Sequence, residues 1–106
     1  MPEDIEKLLK ELKQGLVQIY GKRLRGLYLY GSYARGDQHQ GSDLDVMILL
    51  EDYEDYGDEL RRISGLAGDI SLEHDITISC IFVKETQWQN SDKPLLDRIR
   101  KEGVPA

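Results

Sequence analysis

The sequence predicts a small α+β domain of two layers, in which a small mixed sheet carries helices packed on one face. Three observations lead there. Apolar side chains recur at helical spacing through the first twenty residues, and three short apolar runs (24–30, 44–50 and 74–83) have the length and alternation of strands. Two further stretches of helical period separate and follow those runs, giving the order helix, strand, strand, helix, strand, helix. At 106 residues the chain holds one domain with a modest core, so residues 1–106 are expected to form a single unit.

Pro2, Glu3 and Asp4 suit a helix N-terminus, and Ile5, Leu8, Leu9, Leu12, Leu16, Ile19 and Tyr20 form its apolar stripe as far as Gly21. Leu24–Tyr30 and Leu44–Leu50 then read as two strands joined by a polar, glycine-bearing segment. The acidic stretch EDYEDYGDE reads as a loop, followed by a helix with Leu60, Ile63, Ala67 and Ile70 on one face, weakened by Gly65 and Gly68. In HDITISCIFV, alternation puts Ile76, Ile78, Cys80 and Phe82 on one side of a strand and Asp75, Thr77, Ser79 and Ile81 on the other. Pro94 to Glu102, with Leu95, Leu96 and Ile99 on one face and Gly103 as a stop, predicts a terminal helix.

With 14 basic against 20 acidic residues and a net charge of −6, the surface as a whole repels nucleic acid, which argues against a polymer substrate. The single cysteine, Cys80, has no partner for an internal disulfide and falls in an apolar row, as a small core residue does. No apolar run reaches membrane-spanning length, and a cytoplasmic setting is expected.

The chemistry concentrates in GSYARGDQHQGSDLDV, residues 31–46. Asp43 and Asp45 are two apart, so on a strand both carboxylates project from one face at its beginning. Like charges that close invite a cation, and Mg²⁺ binds through one or two carboxylates together with substrate phosphates. Gly31 and Ser32 stand where the preceding strand ends. Glycine lets backbone amides approach a ligand, and amides opening a turn or helix can cradle phosphate oxygens together with the Ser32 hydroxyl. Arg35 adds a forked donor for the same phosphates. A third carboxylate near the attacking hydroxyl is wanted for phosphoryl or nucleotidyl transfer. Asp75, at the entry of the third strand and facing away from its apolar row, is the first candidate, with Glu73 and Asp69 as competitors.

G-S-Y-A-R-G followed by S-D-L-D-V resembles the signature of the nucleotidyltransferase superfamily typified by DNA polymerase beta, and more narrowly that of minimal nucleotidyltransferase proteins of bacteria and archaea. The resemblance covers most of the chain, including the closing P-L-L-D-R-I-R-K-E-G-V. It implies the polymerase-beta-like fold, with Gly31 and Ser32 gripping a nucleoside triphosphate such as ATP. It further implies that Asp43 and Asp45 hold Mg²⁺, as two ions, and that a third acid, matched to Asp75, ligates metal or helps deprotonate the acceptor. Some minimal members lack that third acid.

The resemblance also implies a HEPN-domain toxin as partner, neutralised by binding or by transfer of AMP to a tyrosine. Two alternatives stand beside it. One is a binding module that complexes its partner without catalysis; the other is a transferase acting on a small hydroxyl compound such as an antibiotic, which usually calls for an added acceptor domain. His39 and His74 have no second histidine or cysteine at zinc spacing and read as surface groups or supports. Tyr28 and Tyr30 read as cover for the sheet, and Trp88 as a packing residue.

Overall fold

The computed structural model describes residues 2–106. Its first helix, α1 (Glu3–Tyr20), carries Glu3, Asp4 and Glu6 in its first turn, where the helix dipole favours negative charge, and buries Ile5, Leu8, Leu9, Leu12, Leu16 and Tyr20. Ile19, expected on this stripe, is instead 37% exposed. A 3-10 turn at Gly21–Arg23 leads into β1 (Leu24–Tyr30), then the single-turn helix α2 (Ser32–Arg35) and β2 (Leu44–Leu50). Both strands have the bounds that the sequence predicts.

Helix α3 (Tyr56–His74) begins inside the acidic stretch expected to be a loop. The reason is a cap: the Asp55 carboxylate accepts the Asp58 backbone N–H at 3.0 Å, and Asp58 and Glu59 then lie in the favourable first turn. Its buried face is Glu59, Ile63 and Ile70, with Leu66 partly buried against the same core; Leu60, expected there, is 40% exposed. Because α3 returns the chain across the sheet, β3 (Ile78–Lys84) can run parallel to β2. The short α4 (Glu85–Asn90) precedes α5 (Pro94–Glu102), and β4 (Val104–Pro105) closes the sheet in the order β3-β2-β1-β4. α4 and β4 were not legible from periodicity, having only six and two residues.

β1 and β2 are antiparallel, with Leu29 opposite Val46 and Tyr30 opposite Asp45. β2 and β3 are parallel, with Asp45 beside Ser79. One face of the sheet, carrying Leu27, Leu29, Leu44, Val46, Ile48 and Leu50, packs under α1 and α3. The long helices therefore lie on one face, as expected, but the opposite face is not bare. Met47 and Leu49 of β2 and Val83 of β3 need cover too, and Leu96 and Ile99 of α5 supply it together with Tyr28 and Trp88. The Tyr28 and Trp88 rings lie 5.2 Å apart, and the Arg100 guanidinium sits 4.9 Å over the indole. β2, buried on both faces, accordingly reads as a nearly continuous apolar run.

A buried polar tie joins α1 to α3. Glu59 is only 3% exposed; Tyr20 donates its hydroxyl to the carboxylate at 2.8 Å, and Arg62 donates through Nη1 at 3.0 and 3.2 Å. Burial, then the hydrogen bond to Glu59, pushes the Tyr20 phenol well above its usual range, so it stays a donor. Among the described residues no helix is long and apolar enough to cross a membrane. Glu59→Ala, which strands the Tyr20 hydroxyl, is expected to cost about 1–3 kcal/mol in urea unfolding, and Glu59→Gln, which keeps an acceptor, less. Equal stability of Glu59→Ala and the native chain would show that this tie does not hold the helices.

Candidate active site

The site begins with a backbone requirement. Gly31 follows β1 at φ 76° and ψ −154°, a conformation open essentially only to glycine. A side chain there would also collide with the carboxylate of Asp45. The chain then makes one helical turn: the N–H groups of Ala34 and Arg35 both donate to the Gly31 carbonyl at 3.1 Å, and Gly36, at φ 80°, ends it. The N–H groups of Ser32 and Tyr33, at the head of this turn, have no partner within the helix.

Residues 37–43 return the chain to β2 through a turn in which the His39 N–H donates to Ser42 Oγ at 2.9 Å and the Ser42 N–H to the His39 carbonyl at 3.0 Å. This spacer sets Asp43 and Asp45 beside Gly31 and Ser32. One cleft of ≈ 390 Å³, within the range of small-ligand sites, is lined by Tyr30, Gly31, Ser32, Arg35, Asp43 and Asp45.

Its electrostatics disfavour the charged form of Asp45. Burial, and next the charge of Asp43, raise the Asp45 carboxyl above its ordinary range, with Arg35 opposing. Burial and then Asp45 push the Tyr30 phenol up to about 12. Two carboxylates with an all-oxygen donor set fit Mg²⁺. Arg35, expected to fork onto phosphate, is engaged by two carboxylates: Nε donates to Asp37 at 3.1 Å and Nη1 to Glu102 at 3.2 Å.

Asp75 does not line this cleft. Alternation placed it on the third strand, but α3 runs to His74, Asp75 ends that helix in the left-handed conformation at φ 52°, and β3 starts only at Ile78. Asp75 and Glu73 line a neighbouring cleft with Asp4 and His74, and Asp69 is exposed on α3. His74 itself contacts Glu11 of α1 at 3.1 Å, a helix-to-helix support. The residue beside Asp45 on the same sheet face is Ser79. The groups that sequence reasoning missed come from α5, which adds Leu95, Arg98 and Glu102 to the cleft. Their spacing of three and four residues marked one helical face, but only the fold shows where that face points.

A family model described as "Nucleotidyltransferase domain" matches residues 5–103. The chain belongs to this nucleotidyltransferase family. A Methanocaldococcus jannaschii protein, provisionally named a protein adenylyltransferase, is 39% identical over 101 residues, covering 95% of this chain and 97% of the relative. Among solved structures, a minimal nucleotidyltransferase superposes with a TM-score of 0.64 at 18% identity, over 98% of this chain and 94% of that one. A chain from the complex of tri-AMPylated Shewanella oneidensis HEPN toxin with MNT antitoxin superposes with a TM-score of 0.57 at 19% identity, over 96% of this chain and 67% of that one. At these identities the two structures share the fold of this nucleotidyltransferase.

Two variants test the geometry of this nucleotidyltransferase. Gly31→Ala should lower stability by about 1–3 kcal/mol in urea unfolding, from backbone strain and displacement of Asp45. Unchanged stability would show that position 31 tolerates a side chain. The raised carboxyl of Asp45 means that the folded state disfavours its charge, so stability falls as pH rises through that raised value. Without divalent cation, Asp45→Asn should therefore melt higher than the native chain at neutral pH, the gap closing below about pH 3.9 where the acid is neutral in both states. A melting temperature at or below that of the native chain at neutral pH would contradict the repulsion.

Proposed function

We propose that residues 1–106 act as one Mg²⁺-dependent nucleotidyltransferase domain that transfers AMP from ATP to a hydroxyl of a protein partner, a HEPN-type toxin, and so serves as its antitoxin. The observation that carries the reading is the convergence of Asp43 and Asp45 with the Gly31–Ser32 turn in one cleft. The name of the M. jannaschii relative supports AMP transfer to protein. The AMP-bearing toxin in the S. oneidensis complex supports the choice of partner.

In this reading the Ser32 hydroxyl and the N–H groups of Ser32 and Tyr33 hold phosphate oxygens, and Arg35 stands beside them. Asp43 and Asp45 hold the metal, one ion or two. When bound, Mg²⁺ neutralises charge on the phosphates as it develops. An acceptor oxygen forms a bond to the α-phosphorus, the bond from that phosphorus to the bridging oxygen breaks, and pyrophosphate leaves. Among the described residues the strands place Ser79, not a third carboxylate, beside Asp45, and Glu102 of α5, the other carboxylate of the cleft, is held by Arg35, so the acceptor's proton passes to water or to a base that the partner brings.

That same serine favours a second reading, a nucleotide-binding antitoxin that neutralises its partner by complex formation alone. Incubation of the chain with its co-purifying partner, Mg²⁺ and ATP labelled at the α-phosphate separates the two. A partner heavier by one or more AMP groups, with transfer reduced on the order of 10²-fold or more by Asp43→Asn with Asp45→Asn, is the expected result. Neutralisation without any gain of mass would select the binding reading. Transfer by the double variant at the native rate would contradict the assignment of the two aspartates.

A further inference from the structure

Three basic residues lie within α5, and two of them are engaged. Lys101 pairs with Asp97 at 2.9 Å, and Arg100 donates to the carbonyl of Ser91 at 2.7 Å while stacking on Trp88. Arg98 is different. It is exposed, has no ion-pair or hydrogen-bond partner among the described residues, and lines the cleft that holds Asp43 and Asp45.

The cleft needs such a group. A triphosphate brought to two carboxylates, on a chain of net charge −6, meets repulsion that metal bound to those carboxylates offsets only in part. Arg35, on the side of the phosphate turn, already donates to Asp37 and Glu102 and would have to give up those contacts to serve fully. Its bond to Glu102 has another consequence, because it ties the end of α5 to α2 and holds the α5 wall against the cleft. Arg98 stands one helical turn before Glu102 on that wall, with its five donors free.

We propose that Arg98 is the residue that grips the terminal phosphates of the nucleotide, from the α5 wall of the cleft, while Arg35 acts as a positioning residue that fixes α5 through Glu102. Arg98 then selects triphosphate over monophosphate and holds the pyrophosphate portion that leaves. The inference rests on the nucleotidyltransferase reading above and assigns a specificity-determining residue within it. Guanidinium matches phosphate oxygens in a planar fork, so lysine at this position keeps the charge and loses the fork.

The test is calorimetric titration, in Mg²⁺, of a non-hydrolysable ATP analogue and of AMP into the native chain, Arg98→Ala, Arg98→Lys and Lys101→Ala. Lys101→Ala removes the same charge from the same helix away from the cleft. Arg98→Ala should weaken the ATP analogue by about tenfold or more and AMP by less than about twofold, with Arg98→Lys intermediate and Lys101→Ala like the native chain. Arg98 has no partner to lose among the described residues, so both Arg98 variants should melt as the native chain does. Native-like affinity of Arg98→Ala for the analogue, or equal losses in Arg98→Ala and Lys101→Ala, would overturn the role of Arg98 and leave the nucleotidyltransferase reading standing. Failure of the native chain to bind the analogue at all would overturn both.

Discussion

The pairing of β1 with β2 in the register that sets Tyr30 opposite Asp45 is the constraint on which the site depends. Side chains alternate along a strand, so a slip of one residue would turn Asp45 into the core and Val46 out to the cleft. The core forbids that slip. Leu29 and Val46, opposite each other, are fully buried under α1 and α3, and Leu27 and Ile48 repeat the arrangement one step further along. Once the register is fixed, the end of β1 meets the start of β2, and Gly31 lies against the Asp45 carboxylate because it has no side chain to keep them apart.

The division of labour between the two faces follows. The face under α1 and α3 supplies most of the apolar burial and includes the Tyr20, Glu59 and Arg62 network, none of which lines the cleft of Asp43 and Asp45. The other face has a smaller core around Met47, Leu49, Leu96 and Ile99, and it is this packing that brings α5 beside the carboxylates. The site itself is held in an unfavourable state: Asp45 is partly desolvated and repelled by Asp43. A stable scaffold with a locally unfavourable corner is the usual arrangement of a functional site.

Much of this was legible in the sequence. The bounds of β1 and β2 stood out because apolar runs end against glycine or polar residues, and the two aspartates announced themselves by their spacing at a strand start. Asp75 misled for a physical reason. A helix that ends on an aspartate in the left-handed conformation leaves no glycine to mark its stop, and the alternation of Ile76, Ile78 and Cys80 extends the apparent strand backwards over it. Arg98 and Glu102 were hidden differently: the sequence shows their helix, but its orientation over β2 is decided by tertiary packing. The nucleotidyltransferase family match over residues 5–103 agrees with the motif.

In the proposed function the cation and the nucleotide meet at the junction of β1, α2 and β2. The most direct measurement replaces Mg²⁺ with Mn²⁺, in the presence of a non-hydrolysable ATP analogue, and maps paramagnetic broadening of backbone amide signals by NMR. Broadening is expected to centre on Gly31, Ser32, Asp43 and Asp45 and to disappear in Asp43→Asn with Asp45→Asn. Broadening centred on the neighbouring cleft around His74 and Asp75, and unchanged in the double variant, would contradict it.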